Sequence, residues 1–308
     1  MSPRKILVFG ATGGVGSAVA RSASSHGSKV FLAMRDTSKS IPGLTTADEE
    51  AAGYERLQAD LNKPDSVREA VSKTGVTHAF IYALLGGGSS DYLLSTVKAL
   101  KESGIEQVVL LSSYSVQGDI RSIPSSNFIA HGHAQVEVSL DDVFGPQGYV
   151  AVRPAFFASN TLWWKSQILE GDVKWVAPDL KLDYISPNDI GEVCGTILAG
   201  AFEGAHESPV CLCGPETDLS VADAIGIIGR AIDRPVKVAK VDIDENIQIM
   251  IRSGMSKPEA TLVINTFASM GERLHVSPEH QANIERYLKR PATRFSEWAE
   301  QNKDKFAA

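Results

Sequence analysis

Short apolar, β-branched runs alternate with longer stretches of helical periodicity through the first half of the chain. Lys5–Phe9, Lys29–Met34, Tyr54–Ala59, His78–Tyr82, Gln107–Ser112 and Tyr149–Arg153 read as strands. Gly14–Ser25, Lys63–Thr74, Asp91–Ser103 and Asn127–Val143 read as helices between them. Alternation at this spacing predicts an α/β fold built on a doubly wound parallel sheet.

After Arg153 the pattern changes. Leu162–Gly171, Asn188–Ala201, Ser220–Ile232, Pro258–Met270, Pro278–Leu288 and Ser296–Lys305 read as helices, with strands at Pro209–Cys213 and Pro235–Val241. Ser220, followed by Asp223, is an N-cap signal, and Ser277 precedes a proline at a first helical position. Asp36–Gly53 reads as a surface loop. No internal repeat and no clean linker is visible. The expected organisation is a nucleotide-binding domain over residues 1–155 and a smaller mixed α/β lobe over 156–308, interleaved with it.

Bulk properties narrow the function. With 308 residues, 43% hydrophobic and 22% charged, the chain can build a substantial core. A net charge of −7 argues against a nucleic-acid partner, which needs a basic face. No apolar run approaches the ~20 residues of a membrane span. The opening Met1–Gly10 breaks too early for a signal peptide and reads as the first strand, so a cytoplasmic location is expected. Cys194, Cys211 and Cys213 complete no zinc spacing with histidine; they read as buried thiols, and no metal is expected.

The first strand runs into Gly10-Ala11-Thr12-Gly13-Gly14-Val15-Gly16, which opens the first helix. Glycines at these positions allow a tight turn and close approach of backbone N–H groups to a pyrophosphate at the helix N-terminus. That is a Rossmann dinucleotide loop. The second strand ends in Arg35, with Asp36 and Lys39 following. Arg35 offers a planar fork to a 2′-phosphate and Lys39 a second cation, which favours NADP(H); Asp36 could equally take a free ribose hydroxyl. Asp60 and Leu61 end the third strand toward the adenine, and Tyr82, Ala83 and Leu84 end the fourth beside the adenosine and diphosphate.

These segments together resemble the NmrA-like family of atypical short-chain dehydrogenase/reductases. The likeness is carried by the glycine loop, Met34-Arg35, Ala59-Asp60-Leu61, Leu110–Ser113, Arg153–Asn160, Asp183–Gly191 and the tail from Val276 to Phe306. The resemblance implies NADP(H) on the glycine loop, Arg35 and Lys39 near the 2′-phosphate, and Pro154, Ala155, Phe156 and Phe157 near the nicotinamide. It also implies a substrate or partner cleft between the two lobes. Family members include reductases of quinones, conjugated double bonds and imines, fungal enzymes of alkaloid assembly, and proteins that bind NADP(H) and regulate a partner.

The proton-handling residues are less regular. Short-chain reductases use a tyrosine with a lysine four residues on; none of the seven tyrosines has one. Catalytic relatives carry a lysine four residues before a glutamate, where this chain has His133 before Glu137. His133 is a candidate to touch the nicotinamide ribose and to act as an acid near neutral pH, with His131 beside it. Ser112, Ser113 and Tyr114 end the fifth strand as further candidates. Phe157, Asn160, Trp163 and Trp164, with Phe156, form either a pocket wall for a flat apolar substrate or plain core. Adjacent tryptophans on a helix face about 100° apart, so at most one is expected toward a cleft. Asp183 is a candidate carboxylate for pairing an amine or iminium cation.

The expected function is NADPH-dependent reduction of a small apolar metabolite carrying an activated C=N or conjugated C=C or C=O. The resemblance suggests a secondary-metabolite setting such as fungal alkaloid assembly, with reduction linked to cyclisation or cycloaddition. The competing expectation is a non-catalytic NADP(H)-binding redox sensor acting on a regulatory protein. A homodimer is compatible with either.

Overall fold

Strand and helix alternate from the first residues onward, as their side-chain patterns require. The computed structural model describes residues 3–85, 89–203 and 207–307. The first half runs β1 (Lys5–Phe9), α1 (Gly14–Ser25), β2 (Lys29–Met34), α2 (Thr46–Ala51), β3 (Glu55–Gln58), α3 (Pro64–Thr74), β4 (His78–Tyr82), α4 (Leu94–Glu102), β5 (Gln107–Leu111), α5 (Phe128–Phe144) and β6 (Tyr149–Pro154). The second half continues with α6 (Lys165–Glu170), β7 (Asp172–Trp175), β8 (Lys181–Leu182), α7 (Pro187–Ala199), β9 (Val210–Leu212), β10 (Leu219–Ser220), α8 (Val221–Ala231) and β11 (Lys237–Lys240). It ends with α9 (Ile243–Arg252), α10 (Lys257–Ser269), α11 (Pro278–Leu288) and α12 (Phe295–Gln301).

Seven strands form one sheet in the order β3-β2-β1-β4-β5-β6-β9, every neighbouring pair parallel. The winding reverses between β1 and β4, which makes their carboxyl ends a topological switch point where such sheets bind ligands. The predicted doubly wound α/β class is therefore the observed one.

The chain divides into two compact units. One comprises Met1–Ala155, Pro187–Leu212 and Ala282–Pro291, the other Phe156–Ser186, Cys213–Gln281 and Ala292–Ala308. The first unit has an aliphatic core in which Leu7, Phe9, Ala79, Ile81, Val108 and Leu110 pack with Val67, Val97, Val136 and Leu140. Helices α1 and α7 meet closely in it. A Cβ on Gly191 would lie 2.4 Å from that of Ala18, and one on Gly195 would lie 2.5 Å from that of Ser22. Arg290 pairs with the buried Asp189 at 2.7 Å and with Glu192 at 2.6 Å.

The second unit holds two small sheets, β7 parallel to β11 and β8 antiparallel to β10. Its core is rich in rings: Trp164, Trp175, Tyr184, Phe267, Phe295, Trp298 and Phe306 are all buried.

Two helices were not expected from the sequence. α2 falls inside the stretch read as loop, and α9 follows Asp242. Each has a cap of the kind recognised at Ser220: Thr45 accepts from the Asp48 amide, and Asp242 from that of Glu245. The expected helix over Leu162–Gly171 is instead a tighter three-residue turn over Ala158–Trp164 followed by α6. Among the described residues no helix is long and apolar enough to cross a membrane.

Candidate functional site

The glycine loop has the geometry its spacing requires. Gly10 sits at φ +73°, a conformation costly to residues with a Cβ, and its carbonyl accepts from the Gly13 amide at 2.9 Å. A Cβ on Gly16 would lie 2.2 Å from that carbonyl, and one on Gly10 would lie 2.8 Å from the Tyr82 ring. These contacts hold strand, turn and helix together, with Ala11, Val15 and Gly16 buried and Thr12, Gly13 and Gly14 exposed. No side chain caps the start of α1 and no acidic residue occupies its first turn. Its free amides and positive dipole end are open to an anion.

Beyond β2 the chain turns on itself. The Asp36 carboxylate accepts from the Ser38 hydroxyl at 2.6 Å and from its amide at 3.0 Å, which lowers its pKa. Arg56 on β3 clamps this turn. Its guanidinium grips Glu49 of α2 at 2.7 and 2.6 Å and donates to the carbonyls of Thr37 at 2.5 Å and Lys39 at 3.0 Å. Arg35 and Lys39 are exposed, and the Lys39 charge helps to lower the Asp36 pKa. Arg35 lines a cavity of about 570 Å³ with Arg56, Asp60 and Lys63. Asp60 is partly tied up, accepting from the Asn62 amide at 3.0 Å with Lys63 at 3.9 Å, and Leu61 is buried. Tyr82, Ala83 and Leu84 are half-buried at the end of β4.

The end of β5 is built differently. The Ser112 hydroxyl donates to Glu137 at 2.5 Å, and Arg153 of β6 grips the same carboxylate through Nε at 3.0 Å and Nη2 at 2.5 Å. Its remaining Nη1 donates to the Val116 carbonyl at 2.9 Å. All of Ser112, Glu137 and Arg153 are buried. This closed network uses the Ser112 hydroxyl internally, so that side chain is a tether and not the free ligand donor the sequence suggested. Ser113 contacts Ser115 through hydroxyls 2.8 Å apart, and the Tyr114 amide donates to the Pro154 carbonyl at 2.9 Å.

His133 lies one turn before Glu137 on α5. Its Nδ1 is buried and has no partner. Burial pushes the imidazole pKa down to about 4, so the ring is neutral at pH 7. The expected role as an acid near neutrality is thereby corrected: a neutral imidazole can donate or accept one hydrogen bond but brings no ready proton. His131 faces elsewhere, with Nδ1 2.8 Å from the Ile123 carbonyl.

Pro154 is buried at the end of β6, and the Ala155 amide donates to the Leu212 carbonyl at 2.9 Å. In the second unit, Asp183 is fully buried and both its oxygens are used, one by the Phe156 amide at 2.8 Å and the other by that of Gly214 at 2.7 Å. Burial raises its pKa to about 6, against the lowering effect of those amides. It is a backbone clamp, and the expectation that it meets a cationic ligand is corrected.

The aromatic segment sorts by the three-residue period of its turn, in which residues i and i+3 lie above one another. Ala158, Thr161 and Trp164 are wholly buried, and Phe157, Asn160 and Trp163 are half-exposed. Trp164 packs edge-on against Trp175 at 4.9 Å and is core, which removes it from the expected pocket wall. Phe156 is likewise core, with its ring 5.5 Å from Tyr184 and 5.7 Å from Phe267.

Sequence reasoning did not identify Arg56, nor Glu137 and Arg153 as a pair. A lone arginine in a short edge strand gives no hint that it clamps a turn from an earlier connection. The Glu137–Arg153 pair spans a helix and the following strand, so neither periodicity nor local spacing marks it. Among the described residues no group of three His, Cys, Asp or Glu side chains is placed to hold a metal.

The Gibberella fujikuroi "Nitrogen metabolite regulation-like protein bik4" is 35% identical, over 96% of this chain and 95% of that protein. A Streptomyces griseus "(4-alkanoyl-5-oxo-2,5-dihydrofuran-3-yl)methyl phosphate reductase" is 25% identical over 98% of this chain and 99% of that protein. The fold superimposes on Citrobacter sp. triphenylmethane reductase, solved with NADP(H), at a TM-score of 0.71 and 19% identity, covering 96% of this chain and 99% of that one. The NmrA-like family model matches residues 2–299. The chain belongs to the NmrA-like family.

Proposed function

We propose that this protein binds NADP(H) and is an oxidoreductase that reduces a small, largely apolar and already activated acceptor, such as an imine or a conjugated enone. The observation that carries the reading is the exposed Thr12–Gly14 tip of the Gly10–Gly16 turn, whose helix start has no side-chain cap and no first-turn acid. In this reading the amides of Thr12 to Gly14 meet the diphosphate. Arg35 and Lys39 meet the 2′-phosphate, and Asp36 is kept from opposing it by its bonds to Ser38. When bound, the cofactor supplies the hydride.

The protein's own groups explain the restriction to activated acceptors. A ketone needs a proton delivered as hydride arrives, and no group at the end of β5 is poised to give one. Ser112 is tied to Glu137, and His133 is neutral at pH 7. In this reading His133 orients a hydroxyl or a substrate atom through Nδ1.

The test has two parts. Titration of nicotinamide fluorescence with NADPH and NADH is expected to show NADPH bound at least tenfold more tightly. NADPH deuterated at C4 in either stereochemical form, incubated with a panel of imines and conjugated enones, is expected to pass label to product. Binding without transfer to any acceptor would refute the enzymatic part.

A second reading, a redox sensor acting on a regulatory protein, is favoured by one observation: the relative at 35% identity is named for regulation and not for a reaction. A protein complex whose affinity depends on the NADPH/NADP⁺ ratio, from a chain that transfers no label, would favour it.

A further inference from the structure

The residues that follow β2, from Arg35 to Ser40, are all exposed. Exposed connections of this kind are ordinarily mobile. Here one side chain from the neighbouring strand holds the stretch in shape. Arg56 of β3 turns one edge of its guanidinium to the Glu49 carboxylate, through Nε at 2.7 Å and Nη2 at 2.6 Å. Its Nη1 donates to the carbonyls of Thr37 at 2.5 Å and Lys39 at 3.0 Å, one on either side of Ser38.

Glu49 is a firm anchor for this clamp. It is buried on α2, whose start is fixed by the capping box between Thr45 and Asp48. Its own carbonyl accepts from the Tyr54 amide at 3.0 Å. A bidentate pair of arginine and carboxylate has a fixed plane, which a lysine cannot reproduce. The guanidinium is therefore held in one orientation, and the two carbonyls are held with it.

Arg56 reaches Asp36 through a single peptide group. The Thr37 carbonyl and the Ser38 N–H belong to the same planar unit and point in opposite directions. Fixing the carbonyl on Arg56 aims the N–H, which donates to the Asp36 carboxylate at 3.0 Å. The Ser38 hydroxyl adds a bond of 2.6 Å to the same oxygen. Both bonds draw the carboxylate back onto its own turn. The Arg56 charge is already met by Glu49, so its influence on an anion beside Arg35 is indirect.

We propose that Arg56 is a positioning residue for nucleotide choice. Without touching the nucleotide, it holds the Asp36 carboxylate away from the ribose 2′ position and fixes the backbone of Lys39, and so favours a 2′-phosphate over a free 2′-hydroxyl. This rests on the NADP(H) reading above and adds to it a residue that sets the preference from outside the binding site.

The test uses the full chain and two readouts. One is the pair of dissociation constants for NADPH and NADH, from nicotinamide fluorescence. The other is hydrogen exchange of the Ser38 amide by NMR, which needs no nucleotide. In Arg56→Met/Glu49→Gln, which leaves no unpaired buried charge, the preference for NADPH is expected to fall about tenfold, with NADH bound more tightly than before. Exchange of the Ser38 amide is expected to quicken about tenfold in the same variant. Arg56→Lys keeps the charge without the fork and is expected to lose preference in the same direction. Adding Asp36→Asn to the first variant is expected to restore most of the preference, because the released side chain then carries no charge. Unchanged preference in Arg56→Met/Glu49→Gln, full preference in Arg56→Lys, or no recovery with Asp36→Asn would each overturn the proposal. So would equal weakening of both nucleotides, the mark of a purely structural loss. Equal affinity for NADPH and NADH in the unaltered chain would sink the cofactor reading instead, and an unchanged Ser38 exchange rate would still overturn the clamp.

Discussion

The β2–β3 side and the β5–β6 side of the same sheet handle charge in opposite ways. Beyond β2, Arg35 and Lys39 stand exposed, while the neighbouring acid, Asp36, is folded back onto Ser38. Beyond β5, Glu137 and Arg153 satisfy each other in the interior, Ser112 is drawn into their network, and His133 is kept neutral. One side is arranged to attract a charged group from solvent; the other shows a ligand little charge and one unsatisfied nitrogen. On the proposed reading, cofactor binding and substrate choice draw on different materials in one domain, long-range charge for the first and desolvated shape for the second.

The comparison can be broken most forcefully on the β5–β6 side. Glu137→Gln leaves the buried Arg153 guanidinium uncompensated, and breaking such a pair costs about 3–5 kcal/mol. Urea unfolding is expected to show a loss of that size, with part recovered in the Glu137→Gln/Arg153→Met double variant. A loss below 1 kcal/mol would mean that the network is dispensable.

Gly16→Ala comes next. Its Cβ would press on the Gly10 carbonyl at 2.2 Å, and overpacking of this kind costs about 1–3 kcal/mol. The strain falls on the anion-binding turn, so NADPH affinity is expected to drop more than global stability does. Equal affinity in Gly16→Ala and the unaltered chain would dismiss the turn as the phosphate site.

Arg35→Ala sharpens the β2–β3 side. About tenfold weaker NADPH binding, or about 1.4 kcal/mol, is expected, with NADH binding unchanged and the difference shrinking as salt rises. An equal loss for both nucleotides would place Arg35 away from the 2′-phosphate.

The smallest effect is in the pH dependence of stability. The His133 pKa falls from 6.5 to about 4 on folding, so the unfolded chain binds more protons and stability declines as pH drops through that range. Asp183 acts in the opposite sense. Its pKa rises from 3.8 to about 6, so the native state takes the proton first and gains stability as pH falls toward 4. Relative to the urea midpoint at pH 7, the midpoint at pH 5 is expected to rise in His133→Asn and to fall in Asp183→Asn. An unchanged pH dependence in both would refute the assigned burial effects.

Much of the β2–β3 side was legible in the sequence, and little of the β5–β6 side was. Strand β1, the glycine turn and α1 are local: each residue's role follows from its neighbours, and the observed bounds of β1, α1, β2 and β4 are those the pattern predicts. The place of Arg35, exposed just beyond β2, was legible because a strand end is a defined place in this fold. The neutral state of His133 was not, because desolvation comes from residues far away in the chain. The tryptophan pair shows a subtler failure. The expectation that at most one faces a cleft survives, but the reason given for it, an α-helical angle, does not, since the turn there has a three-residue period. Asp183 looked chemical because a carboxylate near an aromatic segment suggests a ligand. Only the folded chain brings the Phe156 and Gly214 amides to its two oxygens.

The turn at Asp36 bears on how easily this protein can change over evolutionary time. The carboxylate that would welcome an unphosphorylated ribose is already in place, restrained partly by one hydroxyl at Ser38. Loss of that hydroxyl, a single-residue event that spares the core and the glycine turn, frees the acid to compete with Arg35. On the proposed reading, nucleotide preference would then depend on Ser38, a residue that need never touch the nucleotide.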